Sequence, residues 1–267
     1  MVKQKEEKVK KYLLEEIEQK GFAHLSLIDP DPQKIDPRDL PALVQALDKG
    51  GTSGIMVGGS TAFDKEFLDA VIDAIRQGTN KPIILFPGNI AGVSKKADAL
   101  FFLSPFNSTN HYYLIRAQAI AAPTIKMWGI ETISLAYLIF EPGGTAGYVA
   151  EVQPIPRNKP EIAIAFATAA ELFGFDMVYL EAGSGAKEPI PPKTVYAVTR
   201  FVDIPVIVGG GIRTPEQAAN MISAGAQIVV QGTRFEEFLM KKDFESISNS
   251  VRNVISAMQK AAEAKKK

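Results

Sequence analysis

The sequence predicts an α/β fold of the (β/α)8, or TIM, barrel class, and three observations carry that prediction. Eight apolar runs of strand length recur along the 267 residues, rich in Val, Ile and Leu without polar alternation. Such runs suit strands buried on both faces, as in a parallel sheet. Helical patterns lie between most of them. The units follow one another at near-regular spacing, which favours closure into a barrel over the doubly wound sheet that the same alternation also builds.

The strands are expected at 24–30, 54–60, 82–88, 99–107, 132–140, 176–183, 205–211 and 227–233, most of them ended by Gly, Pro or a polar residue. Helices are expected at 37–49, 64–77, 109–121, 161–173, 191–201 and 215–224, several opened by Asp, Thr or Pro. A Lys- and Glu-rich helix over 1–20 precedes the barrel and a helical segment over 234–267 follows it, all within one domain. Two units break the rhythm. Only ten residues, 89–98, separate the third and fourth strands, so the third barrel helix is expected to be missing or irregular. The stretch 141–160, with four prolines, is too long for a connector and falls on the face where βα loops carry function. It reads as a lid or substrate-binding loop, or as an irregular connection.

Composition excludes several functions. Thirty Lys and Arg balance thirty Asp and Glu, which argues against a nucleic-acid binder. The absence of cysteine removes disulfides, zinc–thiolate sites, Fe–S clusters and thiol nucleophiles. Two histidines, His24 and His111, leave little room for a Ser-His-Asp triad or a multi-His metal site. His24 opens the first strand, at the wrong end for catalysis, and reads as structural. With no apolar leader and no run long enough to span a bilayer, a cytoplasmic location is expected. Asn107-Ser108-Thr109 matches a glycosylation sequon and reads as chance. The Lys-rich C-terminal tail reads as a solvated helix end, with contact to anionic lipid as the alternative.

The chemistry collects at strand ends. Asp29 and Asp31 follow the first strand, where carboxylates suit a hard cation such as Mg²⁺ or, equally, a turn. Ser60 and Thr61 follow Gly58-Gly59 after the second strand, as phosphate or metal-water partners or as a helix cap. The sixth strand ends Tyr179-Leu180-Glu181-Ala182-Gly183-Ser184-Gly185, the seventh Gly209-Gly210-Gly211-Ile212-Arg213, and the eighth Gln231-Gly232-Thr233. Glycines after both strands 7 and 8 match the usual phosphate site of such barrels, where backbone N–H groups bind an anion. Glu181 is the candidate general base. Tyr179 shares its face, to bond a ligand or to pack; Arg213 and Lys187 suit phosphate or a salt bridge. The fourth and fifth strands are rich in aromatics, with Phe101, Phe102, Phe106, Tyr112, Tyr113, Tyr137 and Phe140. A missing third helix would leave barrel wall for an apolar ligand to cover, so these read as a hydrocarbon groove as well as core.

Taken together, these motifs resemble the geranylgeranylglyceryl phosphate synthase family, the archaeal ether-lipid prenyltransferases with heptaprenylglyceryl phosphate synthase relatives in bacteria. The resemblance runs from Leu27-Ile28-Asp29-Pro30-Asp31 to Gly232-Thr233. It implies a modified TIM barrel whose third helix is replaced. It implies Mg²⁺ held at Asp29 with the Ser60 hydroxyl. It implies an sn-glycerol 1-phosphate site of Tyr179, Leu180, Glu181, Ala182, Gly183, Ser184 and Gly185 with Gly210, Gly211, Gly232 and Thr233. Thr233 departs from the Asn that many members carry there. The implied reaction joins the C3 hydroxyl of glycerol 1-phosphate to geranylgeranyl diphosphate, with Glu181 orienting or deprotonating that hydroxyl. Implied partners are these small molecules, further copies of the chain in a dimer or hexamer, and a membrane surface that receives the lipid product. Two rival readings are a phosphosugar isomerase or lyase on the same barrel and a non-catalytic phosphate-binding scaffold.

Overall fold

In the computed structural model, described for residues 7–33, 35–59, 64–232 and 242–265, all eight expected strands form and close on themselves. They are β1 (Ala23–Ile28), β2 (Gly54–Val57), β3 (Ile83–Leu85), β4 (Ala99–Pro105), β5 (Glu131–Ile139), β6 (Met177–Glu181), β7 (Val206–Gly209) and β8 (Ile228–Gln231). Each pairs in parallel with its sequence neighbours, and β8 returns to β1. Most are shorter than the apolar runs that predicted them. The flanking Gly and Pro residues leave the ladder and become the loops at either rim.

The helices are α1 (Lys8–Lys20), α2 (Leu40–Gly50), α3 (Lys65–Gly78), α4 (Ala117–Trp128), α5 (Gly144–Val149), α6 (Pro160–Leu172), α7 (Pro192–Thr199), α8 (Pro215–Ser223) and α9 (Phe244–Lys265). Alternation along each strand sorts the core into two. Leu25, Met56, Ile84, Phe101, Ile133, Tyr179, Ile207 and Ile228 fill the barrel interior. Val178, Leu180, Val208 and Val229 face outward onto the helices. Helix α1 closes the bottom by inserting Val9 and Leu13 into the interior cluster. Glu131 at the start of β5 holds it there, accepting from Val9 N at 2.9 Å and Lys10 N at 2.8 Å. A carboxylate at that helix end suits the helix dipole.

His24 is fully buried, its ring bonded to Thr52 Oγ1 at 3.2 Å and Gln231 Oε1 at 3.1 Å. Burial pulls its pKa down to about 4, so it sits neutral in the core, in keeping with a structural role.

The third barrel helix is absent. A single 3-10 turn, Ile90–Gly92, takes its place and is followed by a loop pinned to α3 by Ser94–Asp69 and Lys96–Asp73 bonds. The fourth helix differs from expectation. The sequence pattern predicts it over 109–121; the structure has a π-helical turn, Tyr112–Arg116, and α4 then runs on to Trp128. Pro123 lies inside α4, where it removes one backbone donor and crowds the preceding turn. Ile125, beyond it, is buried against the helix-facing core and repays the continuation. The stretch 141–160 is neither coil nor simple connector. It carries α5 and then returns along the sheet, bridging Phe140 to Ile155 and Ser108 to Val152.

Candidate active site

The C-terminal ends of the strands surround an open cleft, the usual place for a ligand site in such a barrel. One side consists of glycine-rich turns and an arginine. Ser184 and Gly185 after β6, Gly210, Gly211 and Arg213 after β7, and Gly232 after β8 all line it. Gly210 is held at φ +79°, and a Cβ there would fall 2.3 Å from Glu181 Oε1. Only glycine permits both that backbone and that approach. Arg213 bridges the two loops by donating to Gly185 O at 3.3 Å.

Glu181 lies between this side and the barrel axis. It is 6% exposed, its Oε1 accepts from Gly183 N at 2.6 Å, and the hydroxyls of Tyr137 and Tyr179 donate to its carboxylate. Burial raises its pKa, opposed by those three donors. Burial and the charge of Glu181 keep both phenols protonated. The result is a carboxylate held in one orientation with a raised proton affinity, facing the cleft.

Across the cleft stands Asp29. It abuts Gly59, where a Cβ would come within 2.2 Å of its Oδ1. Asp31 does not line the cleft, and its carboxylate accepts from Gln33 N at 2.9 Å, a turn role. Among the described residues no cluster of three or more Asp, Glu or His exists. A cation at Asp29 would therefore take one carboxylate and complete its shell with water and phosphate oxygens, a donor set that fits Mg²⁺. Ser60 and Thr233 lie outside the described residues.

The third side is apolar. Phe86 stacks on Tyr179 at 5.5 Å and meets Tyr137 edge-on at 5.3 Å, walling the cleft. Pro87, Gly88, Leu103, Pro105 and Tyr113 line both the cleft and a second, adjoining groove. That groove runs between β4, α4 and the turn at Ile90–Gly92, where the third helix is missing, and is walled by Val93, Phe102, Ala121 and Ile125.

The matches to known proteins agree with this geometry. A family model described as the PcrB family matches residues 15–252. The chain belongs to the PcrB family. The geranylgeranylglyceryl phosphate synthase of Thermococcus kodakarensis is 48% identical over 230 residues, 86% of this chain and 90% of that one. The enzyme of the same name from Methanothermobacter thermautotrophicus is 48% identical over 235 residues, 88% of this chain and 92% of that one. The crystal structure of (S)-3-O-geranylgeranylglyceryl phosphate synthase from Thermoplasma acidophilum, in complex with substrate sn-glycerol-1-phosphate, superposes with a TM-score of 0.88. It is 38% identical and covers 94% of this chain and 98% of that one.

Of the residues singled out from the sequence, Asp29, Tyr179, Glu181, Ser184, Gly185, Gly210, Gly211 and Gly232 converge on one cleft in this PcrB-family chain. Leu180 and Ala182 do not; as alternate residues of the Tyr179 and Glu181 strand they point into the helix-facing core. Gly183 acts through its N–H on Glu181 rather than by lining the cleft. Phe106 packs on Phe166, Phe173 and Phe175, and Phe140 is core, so neither contributes to the groove. His111 and Lys187 are exposed and line neither space. Ala146 and Val149 of α5 line the cleft and belong to the stretch 141–160 that reads as a substrate-binding loop, whereas Phe86 is a residue the sequence reading misses, although it directly follows the third strand, a position that the barrel count marks as functional.

Proposed function

We propose that the chain is a Mg²⁺-dependent geranylgeranylglyceryl phosphate synthase, joining the C3 hydroxyl of sn-glycerol 1-phosphate to geranylgeranyl diphosphate. The products are 3-O-geranylgeranylglyceryl 1-phosphate and diphosphate. One observation carries the reading: Glu181 lies in a cleft with anion-binding loops on one side, Asp29 on another and an apolar groove leaving through the gap of the missing helix. The isomerase reading accounts for the loops but has no use for the groove.

In this mechanism the loops around Ser184, Gly185, Gly210 and Gly211 bind the phosphate of glycerol 1-phosphate through backbone N–H groups. That places its C3 hydroxyl toward Glu181. Asp29, with the Ser60 hydroxyl, would hold Mg²⁺, which supplies charge stabilisation to the departing diphosphate. The groove takes the prenyl tail, whose burial contributes about 0.8 kcal/mol per methylene. The hydroxyl oxygen attacks C1 of the prenyl chain, the C1–O bond to diphosphate breaks with its electron pair, and Glu181 accepts the hydroxyl proton. Tyr137 and Tyr179 orient the carboxylate and share its negative charge by hydrogen bonding. Phe86, Tyr137 and Tyr179 exclude water from the allylic carbon.

No helix among the described residues is long and apolar enough to cross a membrane. We take the enzyme to act in the cytoplasm as a homo-oligomer, dimer or hexamer, with a membrane surface receiving its product. Exposed Ile115, Ile120, Met127, Leu172 and Phe173 provide apolar surface for such contacts. Incubation with glycerol 1-phosphate and C15, C20 or longer prenyl diphosphates, with and without Mg²⁺, tests the activity by extraction of ether lipid. Mg²⁺-dependent product from the C20 donor is expected; no product from any donor, with phosphate binding intact, overturns the reading. Light scattering tests the assembly.

A further inference from the structure

The run Asn107-Ser108-Thr109-Asn110, which contains the sequon, follows β4 at the rim of the cleft, and every side chain in it is bonded to the segment that returns from α5. Asn107 is 4% exposed; its Nδ2 donates to Ile139 O at 2.9 Å and Gln153 O at 2.8 Å, and its Oδ1 accepts from Ile139 N at 3.1 Å. Ser108 Oγ donates to Ala150 O at 2.6 Å and Thr109 Oγ1 to Glu151 O at 2.9 Å. Asn110 Nδ2 donates to Glu151 Oε1 at 2.7 Å. Glu151, so held from three sides, sits at φ +48°, a left-handed backbone that a non-glycine residue keeps only when its surroundings impose it.

The same run controls a second wall. Asn110 Oδ1 accepts from Tyr112 N at 2.8 Å and so starts the π-helical turn that carries Tyr113. Tyr113 lines both cleft and groove, while Ala146, Val149 and Ala150, in α5 and just after it, line the cleft alone. The run therefore clamps together the two pieces that flank the passage from cleft to groove.

We propose that residues 107–110 form a positioning latch for the prenyl donor: by fixing α5 and Tyr113 relative to each other, they preform the passage through which the donor's tail leaves its diphosphate. None of the four is catalytic. The glycerol 1-phosphate loops lie after β6, β7 and β8 and, among the described residues, receive no bond from the latch side chains, so its effect is expected on one substrate and not the other. The inference rests on the synthase reading above.

Two variants test it. Ser108→Ala removes the bond to Ala150 O, together with the two local bonds that Ser108 Oγ makes with the Asn110 backbone, with almost no change in volume. Asn107→Asp keeps the shape and the acceptor but loses both donors. Hydrogen exchange by mass spectrometry is followed over 144–153 and over β6, beside steady-state kinetics for each substrate. In both variants exchange over 144–153 is expected to quicken about tenfold, the equivalent of one buried hydrogen bond, with β6 unchanged. The KM for prenyl diphosphate is expected to rise about tenfold, with the KM for glycerol 1-phosphate held within about twofold. If Asn107→Asp fails to fold, Ser108→Ala decides alone. Unchanged exchange in Ser108→Ala overturns the latch whatever the activity. An equal rise in both KM values, or faster exchange with both unchanged, overturns its role in donor positioning. Wild-type protein that exchanges normally yet makes no prenyl ether refutes the synthase reading, which is a separate result.

Discussion

Replacing Glu181 by Gln removes the charge of the proposed base and little else. The amide oxygen still accepts from Gly183 N, the bond that is 2.6 Å in the structure, so the loop leading to Ser184 and Gly185 keeps its anchor. The amide nitrogen then faces a tyrosine hydroxyl, which rotates to accept. Glycerol 1-phosphate binding should therefore change by no more than about threefold, while kcat falls by about 10²–10⁴, the usual contribution of a general base. That loss corresponds to roughly 3–5 kcal/mol of transition-state stabilisation. The pH profile supplies an independent check. Glu181 works ionised, so activity falls as pH drops through its pKa, and burial places that pKa above the usual carboxylate range. The acid limb of kcat/KM should lie correspondingly high in the wild type and vanish in E181Q. Steady-state kinetics from pH 4 to 9 with calorimetric binding of glycerol 1-phosphate decide the matter. A kcat within about threefold of wild type, or an unchanged acid limb, would refute the assignment.

Other substitutions probe the remaining parts. D29N should lower turnover more than about a hundredfold by removing a metal ligand; near-normal turnover at saturating Mg²⁺ sinks that role. G210A imposes a left-handed penalty of about 1–2 kcal/mol and drives a Cβ toward Glu181, so the Kd for glycerol 1-phosphate by calorimetry should rise at least about tenfold. A121F places a ring in the groove. Displacing two methylenes of a C20 tail forfeits about 1.6 kcal/mol, a roughly fifteenfold rise in KM, with short donors unaffected in a competition assay. His24 binds its proton less readily folded than unfolded, with a pKa near 4 against the ordinary 6.5. Stability is thus full above pH 6.5 and declines toward pH 4, by about 3 kcal/mol. Denaturant titrations across that range should show the decline in the wild type and a shallower one in H24N.

Period and spacing made most of the fold legible. Eight apolar runs became eight strands because a strand buried on both faces needs no alternation, and ten residues between two of them left no room for a helix. The anion loops were legible for a similar reason: glycine after successive strands has a backbone meaning that survives without coordinates. What escaped was whatever depends on three-dimensional convergence. Leu180 and Ala182 belong to the same motif as Tyr179 and Glu181, and only the barrel's inside and outside separate them. Phe106 and Phe140 carry the same chemistry as Phe102, yet they face the helices. Tyr137 was read as a groove aromatic, and its hydroxyl instead reaches Glu181, a bond between two strands that no local pattern encodes. The fourth helix runs past its expected end at 121 because burial of Ile125 favours the continuation.

The absent third helix leaves β3 and β4 joined at only two paired positions, whereas β4 and β5 share seven. The β7–β8 junction is equally brief, but Met221 and Ile222 of α8 cover it. The hoop of strands thus has one weakly paired seam with no helix of its own, and it lies about half a circumference from the glycine turns after β6, β7 and β8. On the proposed function, loosening or refilling that seam should alter how long a hydrocarbon the molecule accommodates without disturbing its headgroup site. Tail length and headgroup identity then become separately tunable traits of one barrel.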